Sequence, residues 1–320
     1  MADQVKNGKA FEYAIAKVYH DAINSKGLLV ELLEDDAFNN AKACFDDFEE
    51  KTQLRFLESA NATVDTLFKI EPGLNAKGGK DTSLKIRIAK DGEGQDGDVR
   101  DVIFSREKPA WEIGFSAKNN NDAVKHSRLS SVLDFGKEWV GVNVSNRYWD
   151  DIKPVFTMID KKIKENPQTK WEDLGNDKEQ NVYIPLLEAF RKELLFINNN
   201  NEGIPQKLIS YLIGKYPFYK IIKDDSHNLV IVKAFNIEGK LNQTVNKVKP
   251  RYKTQSINLP TRIVEFERHG STNTLYMILD GGWEISFRIH NASSKLERSL
   301  KFDIRLLGNP PILFTQHLFQ

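Results

Sequence analysis

The alternation of apolar and polar positions divides the chain into a helix-rich first part and a strand-rich second part. The run FEYAIAKVYHDAI, from Phe11, repeats apolar residues at helical spacing. The stretch from Asn39 to Phe68 keeps that period, with Asp35 or Asp36 placed to cap its start. Pro72-Gly73 ends the region in a turn. DVIFSR, from Asp101, and WEIGFSAK, from Trp111, then have strand character, and the EKPA connection suits antiparallel neighbours. A short helix is predicted from about Asp122 over DAVKHSRLSSVL, a strand over WVGVNV, and helices over VFTMIDKKIKEN, LLEAFRKELLFI and IPQKLISYLIGKY. Strands dominate afterwards: YKIIKDD, LVIVKAF, RIVEFER, TLYMILD, WEISFRIH and LKFDIRLLG, with Gly281-Gly282 as a hairpin turn. Four consecutive asparagines, Asn198 to Asn201, fall where helices give way to strands. They place an expected boundary there, giving a helix-rich domain over 1–198 and a strand-rich lobe over 199–320. The expected class is α+β.

Composition changes this picture little. With 320 residues and 40% apolar content the chain can fill two cores of ordinary size. It opens MADQVKNGKAFEY and nowhere reaches the roughly 18 uninterrupted apolar residues of a membrane span, so a soluble, cytoplasmic protein with no membrane partner is expected. The single cysteine, Cys44, can form neither an internal disulfide nor a zinc cluster and reads as a small core residue.

Charge is more informative in its distribution than in its total of +1. Between Pro205 and Arg262 eleven Lys or Arg face three acids, a local excess of eight. Binding to nucleic-acid phosphates needs such a cluster, because each contact displaces condensed counterions. A solvated basic face with no partner gives the same count.

The candidate chemistry lies between Gly94 and Ser131. An acid entering one apolar strand, Asp101, and a lysine closing the next, Lys118, form the layout of the PD-(D/E)xK nucleases, which predicts a nuclease core with helices around a mixed sheet. Hydrolysis of a phosphodiester calls for a hard divalent cation held by carboxylate oxygens, and a nearby lysine can orient the attacking water and neutralise developing charge. The acid expected two residues before the lysine is missing, since position 116 is serine. Glu112 shares the parity of Lys118 but lies about 13 Å along the strand from Ser116, at ~3.3 Å per residue. Glu12, in the first helix, is the leading substitute, ahead of Asp98, which also competes with Asp101, and ahead of Glu112. The expected catalytic set is therefore Asp101, Lys118, Glu12 and Asp98. Magnesium would be held by Asp101, Glu12 and the backbone carbonyl of Ala117.

The longer blocks GDVRDVIF, WEIGFSAKNNNDAVKHSRLS and DFGKEW resemble the core of the HaeIII-type restriction endonucleases. The resemblance returns at FNIEGKLN, LPTRIVEFE and the run from Gly282 to Gly308, so that it covers most of the chain. It implies magnesium-dependent cleavage of double-stranded DNA within GGCC, with a cognate DNA methyltransferase protecting the host. Lys125, His126 and Arg128, expected on a helix just behind Lys118, are candidate phosphate contacts. In the second lobe Arg288, His290, Asn291 and Lys295 are candidate DNA contacts, because guanine is read best by a bidentate Arg or by Lys. Trp111, Trp139 and Trp283 read as packing residues. The competing functions are a non-cleaving DNA-binding protein on a nuclease scaffold and a structure-specific repair nuclease.

Overall fold

A computed structural model of the protein describes residues 3–78, 82–90, 97–120, 122, 124 and 127–319. The chain forms two compact units, and both are discontinuous: 1–122 with 214–258 and 312–320, and 123–213 with 259–311.

The first unit is built on a seven-stranded mixed sheet. Its strands are β1 (Val30–Leu32), β2 (Leu84–Ile88), β3 (Val102–Arg106), β4 (Trp111–Asn119), β6 (Phe218–Asp224), β7 (Leu229–Phe235) and β12 (Phe314–Phe319), lying in that order across the sheet. As the sequence predicts, β3 and β4 are antiparallel neighbours, with Val102 opposite Phe115. The other neighbour of β4 is β6, which runs parallel to it with Ser116 opposite Lys220.

Helices α1 (Asp3–Asn24), α2 (Asp36–Asp46) and α3 (Glu50–Ile70) supply the other half of this core. Asp35 caps α2 by accepting the Phe38 N–H at 3.1 Å, and the predicted single helical stretch breaks between Asp47 and Glu49. Alternation along the strands sorts side chains by face. Val102, Phe104, Ile113, Phe115, Ala117, Tyr219 and Ile221 enter the core, where Tyr19 of α1 packs edge-on against Phe104 and Phe115 at 5.5 and 5.1 Å. Glu112, Gly114, Ser116, Lys118, Lys220 and Lys233 take the opposite face.

The second unit is a five-stranded antiparallel sheet with α4 (Phe135–Val140), α5 (Asn146–Glu165), α6 (Ile184–Asn200) and α7 (Ile204–Ile213). Its strand order is β5 (Arg128–Ser130), β11 (Ser299–Gly308), β10 (Trp283–Asn291), β9 (Thr274–Leu279) and β8 (Ile263–Glu267). Phe190 of α6 centres an aromatic core, with Phe135, Trp139, Phe266, Phe287 and Phe302 within 5.9 Å between ring centroids. The predicted β9–β10 hairpin is present, and Gly281 and Gly282 supply the positive φ values of 73° and 86° that its turn needs.

Three expectations are corrected. WVGVNV forms no strand: its start belongs to α4, which Asp134 caps through the Lys137 N–H at 2.9 Å and Gly141 ends at φ 73°. The segment predicted as a helix behind Lys118 carries β5 instead. The single cut at 198 falls inside α6, because the asparagines work as a helix terminus. Asn200 and Asn201 donate their side-chain amides to the carbonyls of Phe196 and Ile197 at 2.7 and 2.9 Å, satisfying end groups that helix geometry leaves open.

Candidate active site

Asp101 stands immediately before β3 and is fixed through its backbone from both sides. Its N–H donates to the Phe115 carbonyl at 2.8 Å, and its own carbonyl accepts the Ala89 N–H at 2.9 Å. Its carboxylate reaches the end of β4, where Oδ2 accepts the Ala117 N–H at 2.7 Å, the Ser116 hydroxyl at 3.1 Å and the Lys118 ammonium at 3.2 Å. Serine at the position of the missing acid thus acts on Asp101 directly by orienting it. Both Asp101 and Lys118 keep part of their side chains open to solvent.

Glu12 belongs to the same electrostatic cluster. It lies on α1, is only 7% exposed, and pairs with Lys9 one turn earlier at 3.0 Å. Burial first, then the Asp101 carboxylate, push its carboxyl up to about 8, against the opposing pull of Lys9 and Lys118. A buried carboxyl raised in part by a neighbouring carboxylate is one that a cation would relieve. The donors are hard oxygens, and magnesium is commonly held by one or two carboxylates while water and substrate phosphate fill the remaining positions. The residues therefore fit such an ion. Among the described residues no group of three or more His, Cys, Asp or Glu is arranged to hold a metal.

Asp98 and Glu112 are engaged elsewhere. Arg100 takes both oxygens of Asp98 at 2.8 and 2.7 Å and reaches Glu112 at 2.8 Å. Its stem crosses Gly114, where an added Cβ would stand 2.3 Å from Arg100 Cδ, and its guanidinium lies over the Tyr216 ring at 4.5 Å. Hydrogen bonds bring Asp101, Ala117 and Lys118 together, Glu12 lies within electrostatic reach of Asp101 and Lys118, and Asp98 is tied to Arg100.

Among the DNA-contact candidates of the second unit, Arg128, Arg288 and His290 share one sheet face, whereas Asn291, opposite the buried Leu300, takes the other. Directly paired positions set Arg128, Lys301 and His290 side by side across β5, β11 and β10. Arg128 donates to the Ser299 hydroxyl at 3.0 Å, and the exposed Arg288 stands opposite Asp303. Asn291 accepts from the Tyr183 hydroxyl at 3.3 Å and donates to the Ser293 carbonyl at 2.6 Å, while His290 Nδ1 lies 2.8 Å from the Asn291 carbonyl. Lys295 is exposed just beyond the strand. Lys125 and His126 lie outside the described residues.

Sequence reasoning passed over Lys301 and Lys9, and counted Lys220 and Lys233 only within the basic cluster between Pro205 and Arg262. The signal for the last two was a lysine interrupting each of the apolar runs YKIIKDD and LVIVKAF.

The family model described as HaeIII restriction endonuclease matches residues 8–310. The chain is 36% identical over 307 residues to the type II restriction enzyme HaeIII of Haemophilus aegyptius, a match covering 95% of this chain and 94% of that protein. No solved structure matches the chain. The protein is a type II restriction endonuclease, a site-specific deoxyribonuclease acting on double-stranded DNA. The chain belongs to the HaeIII restriction endonuclease family. No described helix is long and apolar enough to cross a membrane.

Proposed function

We propose that the enzyme cleaves duplex DNA within GGCC by magnesium-dependent hydrolysis at the cluster of Asp101, Lys118 and Glu12. The observation that carries the site assignment is the meeting of the Lys118 ammonium with the Asp101 carboxylate beside a buried carboxyl on α1. Asp101 and Glu12 would hold the ion, with the Ala117 carbonyl as a further oxygen; its supporting feature is that the N–H of the same residue already meets the Asp101 carboxylate. The ion would polarise the scissile phosphate and acidify a water. Lys118 orients the attacking water and offsets charge that builds on the phosphate. Ser116 and the Ala117 N–H keep Asp101 in one rotamer, so that no reorganisation is needed when substrate arrives.

The sheet of the second unit is the DNA-recognition surface, with Arg288, His290, Asn291, Lys295 and Arg128 as its contacts. A palindrome rich in guanine favours Arg and Lys donors at O6 and N7. A GGCC cutter also needs a methyltransferase of the same specificity in its host, since its own genome carries the site.

Incubating plasmid with the enzyme, with and without magnesium, tests this reading. Discrete fragments whose ends fall within GGCC are expected only with metal. Smearing or nicking would assign a structure-specific nuclease, and uncut but retarded DNA a binding protein.

A further inference from the structure

Next to the proposed active site, a row of polar side chains crosses the first unit's sheet at one level. It starts at Ser116, whose hydroxyl holds Asp101, and continues through Lys220, paired with Ser116, to Lys233, paired with Lys220. Lys118 shares this face, two residues beyond Ser116. Like charges directly opposite each other on antiparallel strands repel, and burial makes the repulsion worse. Yet the side chains of Lys220 and Lys233 are only 3% and 9% exposed. Both rest on one carboxylate: Asp122 gives one oxygen to Lys220 and the other to Lys233, at 2.6 Å for the latter. The Asp122 carbonyl accepts a further bond from Lys220 at 3.1 Å. Burial pushes the Lys220 ammonium down to about 8, opposed by Asp122 and reinforced by Lys118 and Lys233.

Asp122 itself keeps 35% of its side chain exposed, so it covers the two ammonium groups from the solvent side. A carboxylate bridging two lysines through its two oxygens has the charge and the oxygen count of a phosphodiester, which offers two non-bridging oxygens and one negative charge. A backbone phosphate can therefore replace the carboxylate without changing the charge of the pocket, and Asp122 can pass into water.

We propose that Lys220 and Lys233 form a binding site for a DNA backbone phosphate beside Asp101 and Lys118, and that the Asp122 carboxylate occupies this site until DNA displaces it. Its placement next to the scissile phosphate rests on the active site assigned above. The lysines are positioning residues: they seat a neighbouring phosphate and thereby set the register of the scissile one.

Binding of a GGCC-containing duplex without metal, followed over a range of salt concentrations, tests the site. Each phosphate contact contributes about 0.9 to the slope of log K against log salt. Replacing both lysines, K220M with K233M, should lower the slope by about one and weaken binding at least ~10-fold. Asp122→Asn, which removes the competing charge and keeps the side-chain shape, should bind several-fold more tightly than wild type. Wild-type affinity and slope in the double variant with an intact melting transition overturns the proposal. If the double variant does not fold, Asp122→Asn decides alone, and affinity equal to or below wild type overturns it. Magnesium added to the same preparations separates the two readings: a wild-type enzyme that binds but does not cut retires the active-site assignment and leaves the salt slopes informative.

Discussion

Lys118 and Glu12 touch the same carboxylate field in different ways, and their variants should fail differently. Lys118→Ala removes the group proposed to act at the reacting phosphate, so cleavage of bound DNA should fall at least ~100-fold while affinity stays close to wild type. Single-turnover rates beside a binding isotherm show it; weak binding with normal turnover would make Lys118 a phosphate anchor. Glu12→Ala removes a proposed metal oxygen from a buried position. Cleavage should then need more magnesium, and manganese, which binds an oxygen site left one ligand short more tightly, should restore part of the rate. Wild-type cleavage with an unchanged metal dependence would remove Glu12 from the site. Asp98 should separate cleanly from both. Its bidentate pairing holds the buried Arg100, which in Asp98→Ala keeps only the half-exposed Glu112 as an acid partner, so the variant should lose roughly 1–3 kcal/mol of stability in a denaturant titration. The metal dependence of the folded fraction should not move.

At the scale of elements, strands β3 and β4 were legible because alternation, an entering acid and a closing lysine all lie within one short stretch. Their hairpin is local, and local pairing is what periodicity encodes. Strands β6 and β7 were recognised as strands but assigned to the wrong unit. Nothing in YKIIKDD or LVIVKAF says that β6 runs parallel to β4 across a separation of about a hundred residues, so the lysines counted in the basic cluster were not placed beside the site. WVGVNV was misread because valines spaced two apart imitate a strand, whereas an Asp cap and a Gly terminator outweigh them. Glu12 was reachable from the sequence only as a helix residue of suitable charge, since the packing of α1 on β4 decides where it points. That packing also sets a test at the far end of β4. Trp111 opens the strand and lies against Gly73, where an added Cβ would come within 2.0 Å of its indole. Gly73→Ala must therefore move either the ring or the Pro72–Leu74 turn, and should destabilise the protein by about 1–3 kcal/mol. Thermal or chemical unfolding measures it. An unchanged midpoint would mean that the indole swings clear at no cost.

On the scale of the whole molecule, the chain passes four times between its two units, so each core closes only when distant segments have met. Glu71 is one such meeting point in the first unit. It ends α3, is fully buried, and accepts bonds at 2.9 Å from the Tyr219 hydroxyl of β6 and at 2.8 Å from the Asn242 N–H in the loop after β7. Asn242 in turn donates to the Ile70 carbonyl and accepts the Thr254 N–H, so one carboxyl joins the segment 1–122 to the segment 214–258. Burial raises the Glu71 carboxyl from its ordinary 4.5 to about 7, although the bonds from Asn242 and Tyr219 pull it down. Between pH 4.5 and about 7 the native state keeps a proton that the unfolded chain has released. The free energy of unfolding therefore falls as pH rises through that window and levels off above it, by roughly 3 kcal/mol for this group alone. Glu12, raised to about 8, adds a loss of the same sign, and Lys220, lowered to about 8, begins to act with opposite sign only above that pH. Glu71→Gln removes one titration and keeps the side-chain shape. Unfolding curves without metal, taken from pH 4.5 to pH 8, should show a shallower decline in the variant than in wild type, with the difference confined to the range below about 7. Parallel curves for the two proteins would show that Glu71 ionises in the native state as readily as in the unfolded chain.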